Sequence, residues 1–209
     1  MPTTAIIPTF RHGWAGLRMI LVMTVLLGLG YPLMMTGLAQ VVSPGRANGS
    51  LLSRDGSRVG SSLIGQSFAD DPEYFQSRPS VAGDGYDPLA SSASNLGPTS
   101  PGLVKAVDAR RRADAQFDGT DPARVTPDAV TASGSGLDPD ISPAYAAQQV
   151  ARVARTRGLD EAVVRRLVDE NTSARTLGFL GEPRVNVLEL NLALDRAADR
   201  AADRAKPTG

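Results

Sequence analysis

Residues 19–42 read MILVMTVLLGLGYPLMMTGLAQVV and contain no Asp, Glu, Lys or Arg. As a helix rising about 1.5 Å per residue, the run reaches roughly 36 Å, enough to cross a hydrocarbon layer of about 30 Å with some tilt. No later stretch equals it, so the chain divides into an apolar span and a polar body. The expected organisation is a cytoplasmic N-terminus (1–18), a transmembrane helix (19–42), an extracytoplasmic soluble domain (43–195) and an Arg/Ala/Asp helical tail (196–209). The rival reading is a cleaved secretory signal, with Arg11 and Arg18 as its basic flank and Gly37-Leu38-Ala39 as a small-x-small cleavage site. Signal cores run about 7–15 residues, and this one is longer, which favours a retained single-pass anchor. Arg11 and Arg18 favour a cytoplasmic N-terminus, while Arg46, Arg54 and Arg58 weaken that bias. Gly28, Gly30, Pro32 and Gly37 offer small surfaces against which neighbouring membrane helices could pack.

The composition removes several kinds of chemistry. The chain has no cysteine, so disulfides, zinc ribbons and thiol nucleophiles are excluded. Its one histidine, His12, precedes the span, so the body can build neither a His-based triad nor a His metal site. Lys+Arg and Asp+Glu both number 22, which gives no global attraction to nucleic acid. Neither glycine-rich phosphate motif, G-x-G-x-x-G nor G-x-x-x-x-G-K-[ST], occurs. Asp118-Gly119-Thr120 lacks the lysine and second half of an aspartyl-phosphorylation motif.

Within the body, Asp55-Gly56 between two apolar-containing runs predicts a hairpin turn. Asn48-Gly49-Ser50 has the form of a glycosylation sequon, and a plain turn is the favoured reading. Asp71-Pro72 is expected to open a helical turn carrying Tyr74 and Phe75 as core residues. Residues 78–102, dense in Gly, Pro and Ser, predict a long irregular loop. Ser100-Pro101, Thr126-Pro127 and Ser142-Pro143 each read as a cap followed by proline at the first helical position. The helix after Ser142 runs to Gly158, with Val150, Val153 and Ala154 inward and Arg152, Arg155 and Arg157 outward. Asp160 and Asn186 cap two further helices, and the last fades into the 196–209 tail with Arg196–Asp199 and Arg200–Asp203 pairs. The fold class is therefore α+β, a single N-terminal transmembrane helix followed by a mixed soluble domain with several helices and a small sheet.

Candidate sites are few. Arg110, Arg111 and Arg112 form a basic run that is either a solvated face or a contact for an acidic partner. Ser133-Gly134-Ser135-Gly136 is either a connecting turn or a nest of amides for an anion or partner contact. Asp138 with Asp140, and Asp70 with Asp71 and Glu73, are carboxylate groups that could act as acid and base; ordinary helix capping is the favoured reading. Nothing specifies a metal, no catalytic residue stands out, and the chain does not read as an enzyme on its own.

Several phrases together carry a family resemblance: YPLMMTGLAQ (31–40), ANGSLLSRDG (47–56), VGSSLIGQSF (59–68), YFQSRP (74–79), SNLGPTSPGL (94–103), VTASGSGLDPDISPAYAAQQVARVA (130–154) and LGEPRVNVLELNLALD (180–195). In this order they resemble the C subunit of the bacterial Kdp potassium-transporting P-type ATPase. The resemblance implies a cell-membrane complex with a channel-like potassium-binding subunit, an ATP-hydrolysing P-type subunit and a small fourth membrane subunit. It implies a catalytic chaperone that raises the ATP affinity of the catalytic subunit. ATP would engage the chain only together with that subunit, and no cofactor would be held firmly. The glutamine tied to nucleotide interaction in that family matches Gln149, with Gln148 beside it as a competitor. The family topology puts the body outside the membrane while ATP is cytoplasmic, which points to an indirect effect on ATP affinity. The alternative is a secreted or anchored extracytoplasmic binding module with no pump.

Overall fold

The computed structural model describes residues 6–68 and 71–205. The chain divides into two compact units, residues 1–50 and 51–209. In the first, α1 (Ile6–Met23) passes through a π-helical stretch, Thr24–Gly30, into α2 (Tyr31–Val42). Residues 11–42 make one helical run apolar and long enough to cross a membrane, and none of its most apolar window is buried within the chain. Pro32 explains the π stretch. Proline has no N–H to donate and its ring crowds the carbonyl four residues back, so the preceding turn widens. The Tyr31 amide reaches the Leu26 carbonyl in the wider pattern. A Cβ added at Gly28 or Gly30 would approach no atom closer than 3.7 Å, and one at Gly37 meets nothing within 4 Å. A short α3 (Pro44–Ala47) follows. Asn48 does not stand free there: its amide pairs reciprocally with Gln40 at 3.1 Å and donates to the Pro44 carbonyl.

The second unit opens with the hairpin β1 (Leu51–Arg54) and β2 (Ser57–Ser61). Asp55 (φ 51°) and Gly56 (φ 80°) form its two-residue turn in the left-handed conformation that Asp-Gly favours. Among the described residues no helix or strand then occurs until α4 (Pro101–Asp118), which stops at Gly119 in the left-handed region. A 3₁₀ turn (Pro122–Arg124) and α5 (Pro127–Val130) lead to β3 (Asp140–Ile141) and α6 (Pro143–Arg157). α7 (Glu161–Glu170), β4 (Thr172–Ser173), β5 (Arg184–Asn186) and α8 (Val187–Ala205) complete the chain. Three caps form as the sequence predicts: Ser142 accepts from the Tyr145 amide, Asp160 from Ala162 and Asn186 from Glu189.

The three-stranded sheet has the order β3-β5-β4, antiparallel throughout, with Asp140 opposite Asn186 and Thr172 opposite Val185. The core joins the inner faces of α6 (Tyr145, Val150, Val153), α7 (Val164, Val168) and α8 (Leu190, Leu194) to Val185 and Phe75. Phe75 is buried as expected and Tyr74 half-buried, and residues 71–74 form a single turn closed by the Tyr74 amide on the Asp71 carbonyl at 3.2 Å. The described part of the tail departs from expectation. Asp199 pairs with Arg54 of β1 at 3.2 Å instead of with Arg196, because Arg54 already reaches across to Asp195 one turn earlier on α8. The last expected tail residues, from Lys206 on, lie outside the described residues.

Candidate functional site

Residues 71–80 have no regular partner strand, so their buried backbone groups must be satisfied by side chains. Helix α6 does most of this. Tyr145, Gln149, Arg152 and Thr156 follow one another at four-, three- and four-residue steps and therefore share one face. Gln149 is 0% exposed. Its Oε1 accepts from the Gln76 amide at 2.6 Å, and its Nε2 donates to the Gln76 carbonyl at 3.1 Å, reproducing a strand pair with a side chain. Asn191 of α8 does the same for Phe75, at 2.9 and 3.0 Å. Arg152, 1% exposed, donates through Nη1 to the Pro72 and Tyr74 carbonyls and through Nη2 to Gln149 Oε1.

The charge of Arg152 is balanced by Asp118 at the end of α4, Nε to Oδ1 at 2.7 Å, both side chains 1% exposed. The guanidinium also lies 4.4 Å from the centroid of the Phe117 ring. Gln148 extends the network, donating to Asp114 at 2.6 Å and Asp118 at 2.7 Å and accepting from the Thr126 amide. Tyr145 donates its hydroxyl to the other Asp114 oxygen. Burial, and then repulsion from Asp118, push the Asp114 carboxyl above the usual carboxylate range. Burial beside those carboxylates likewise pushes the Tyr145 hydroxyl up.

The outward placement of Arg152 and Arg157 is corrected by this arrangement. Arg157 is mostly buried, bonded to Asp195 at 2.7 Å and to the Glu73 carbonyl, with its guanidinium over Tyr74. Each has a carboxylate partner and carbonyls that replace water, which is the condition for burying a charge. Arg155 is exposed, as predicted.

Ser133–Gly136 lie apart from Gln149 and hold the long loop. The Ser133 amide donates to Pro79, the Ser135 carbonyl accepts from the Ser92 amide and the Ser91 hydroxyl, and the Gly136 carbonyl accepts from Ser80. Residues 78–100 are irregular, as predicted, and are pinned at these points, while 101 and 102, the last two of the predicted loop, already belong to α4. Asp138 and Asp140 do not cap a helix. The residue before a proline is driven to extended backbone, and Asp138 precedes Pro139. It makes a turn to the Asp140 amide and pairs with Arg78 at 3.1 Å, while Asp140 pairs across the sheet with Arg184 at 3.0 Å. Asp71 accepts from the Glu73 amide in a turn, and Asp70 lies outside the described residues. Among the described residues no His, Cys, Asp or Glu group is placed to hold a metal. Residues 66–68 and 72–80 form one wall of a cleft of about 780 Å³ against α4 and α5.

A candidate membrane span followed by a mixed α+β body, its buried polar side chains bonded largely to its own backbone, is the class of protein the fold defines. Comparison gives the family. The model of the K+-transporting ATPase c chain matches residues 13–196, and the chain belongs to that family, an accessory rather than a catalytic subunit of the ATPase. Relatives bearing the name potassium-transporting ATPase KdpC subunit include one from Kineococcus radiotolerans, 59% identical over 184 residues, covering 88% of this chain and 93% of the relative. Another from Sorangium cellulosum is 57% identical over 185 residues (88% and 97%), and one from Beijerinckia indica 56% over 177 (84% and 89%).

Proposed function

We propose that this chain is the accessory subunit of an ATP-driven, high-affinity potassium import complex. The 19–42 helix holds it in the cell membrane with its N-terminus cytoplasmic and its body outside. The supporting observation is that the family match runs unbroken through both the apolar helix and the body. Its partners are a channel-like potassium-binding subunit, an ATP-hydrolysing P-type subunit and a small fourth membrane subunit. Deleting residues 1–45 is expected to release the body from the purified complex. Full retention with full activity overturns the reading.

The chain raises the ATP affinity of the catalytic subunit by favouring one of that partner's conformations. Gln149 supports the indirect route: both ends of its amide are engaged on Gln76 and Arg152, so a nucleotide could reach it only after the clamp opened. It is read as a positioning residue for the 72–76 segment. Gln149→Ala should raise the KM for ATP of the assembled complex with little change in kcat. An unchanged ATP dependence removes the assignment. Protease added to intact cells should cut the 78–102 loop, and cutting only from the cytoplasmic side overturns the external placement.

A further inference from the structure

The cleft beside residues 66–68 and 72–80 gathers two guanidinium groups, Arg78 from this wall and Arg110 from α4. They converge on consecutive carbonyls at the end of α5. Arg110 Nη1 donates to Val130 at 3.1 Å, and Arg78 Nη2 donates to Thr131 at 3.4 Å. Arg78 is balanced by Asp138, and its Nε, buried and without a hydrogen-bond partner among the described residues, is closed off from the cleft, so its Nη atoms are the ones that can face an anion. Arg110 is half-buried and, among the described residues, pairs with no carboxylate. Asp114 is the one acid among the described lining residues, and its two oxygens are taken by Tyr145 and Gln148.

Like charges drawn together in a partly dry cleft repel, and an anion between them would be held by charge-assisted bonds. Phe68, Phe117, Pro72 and Ala113 give the same cleft an apolar wall, and its volume of about 780 Å³ suits a small organic molecule.

We propose that this cleft binds a small organic anion, its oxyanion on Arg110 and Arg78 and its apolar or aromatic part against the Phe68 and Phe117 wall. The test uses the full chain in detergent, with benzoate and inorganic phosphate as probes in ligand-observed NMR and calorimetry. Benzoate should bind more tightly than phosphate. Arg110→Gln should weaken benzoate by about tenfold or more, the loss of one charge-assisted bond. Ala113→Leu narrows the cleft without changing charge and should weaken benzoate while sparing phosphate; unchanged tyrosine circular dichroism shows that both variants fold. Absence of benzoate binding to the wild type, or equal binding by Arg110→Gln, overturns the proposal. So does phosphate binding as tightly as benzoate. Benzoate binding that is present in the isolated chain and lost in the assembled complex also overturns it, in favour of an acidic segment of a partner subunit filling the cleft.

Discussion

Replacing Arg152 by methionine tests whether the body depends on its buried network. Methionine keeps an apolar stem of similar reach but removes four donated bonds, to Asp118, Pro72, Tyr74 and Gln149. The two carbonyls keep second donors, Thr156 for Pro72 and Gln76 Nε2 for Tyr74, so their loss is small. The dominant cost is Asp118, left 1% exposed with Gln148 as its remaining partner. Removing one member of a buried ion pair costs about 3–5 kcal/mol. A domain of this size loses about 2–4 °C per kcal/mol, so the melting temperature should fall by about 6–20 °C. Near-ultraviolet circular dichroism of the full chain in detergent reads the body through Tyr74, Tyr86 and Tyr145. Asp118→Asn should cost less, about 1.5–3 kcal/mol, because Arg152 retains three carbonyl-type acceptors. Adding Asp118→Leu to Arg152→Met should recover part of the loss by removing the stranded charge. A methionine variant that melts with the wild type, or a double variant less stable than Arg152→Met, would refute the argument.

Other outcomes follow from single residues. Gly136 has φ +69°, and a Cβ there would sit 2.7 Å from Ala82 Cβ and 2.8 Å from the Ser92 carbonyl. Gly136→Ala should therefore cost about 2–4 kcal/mol in chemical denaturation and speed proteolysis of residues 81–95. The raised Asp114 carboxyl binds its proton more readily folded than unfolded, so its contribution is fully present below the unfolded value near 3.8 and is lost as pH rises through the folded value. The wild-type stability advantage over Asp114→Asn should shrink as pH rises from about 4 towards neutrality, and a difference independent of pH would contradict the assignment. Leucine at Gly28, Gly30 or Gly37 fits the helix itself, so these variants should insert normally and co-purify less with the other subunits.

The parts of the fold legible in the sequence are those decided within a few residues. Asp55-Gly56 specifies its turn by conformational preference, and Ser142, Asp160 and Asn186 specify helix starts by hydrogen bonds three residues long or less. The central sheet was not legible in detail because β3 and β4 are two residues each, too short for an alternating pattern, and Asp140 meets Asn186 far along the chain. Arg152 reads as an outward helix position, and Gln149 stands out only through the family resemblance, because nothing local announces their partners at residues 72–76 and 118. The one available signal was their spacing with Tyr145 and Thr156 beside the apolar Ala146, Val150 and Val153, a polar stripe bordering the buried face of α6.

That stripe has a consequence for how the cleft behaves. The 72–76 segment has no ladder of its own, so its position is set by Gln149 and Arg152 from α6 and Asn191 from α8, all at most 2% exposed. Shifting it would break several of these bonds together, and each buried donor or acceptor left unsatisfied costs about 1–3 kcal/mol. The wall that continues from Gln76 into Arg78 and Pro79 is thereby fixed before anything binds. A ligand in the cleft would meet a preformed surface and incur little ordering cost, the arrangement that gives a small site usable affinity. The same rigidity makes an α6 substitution act at a distance: Gln149→Ala frees the backbone of Gln76 two residues from Arg78, so it should loosen anion binding without touching the anion.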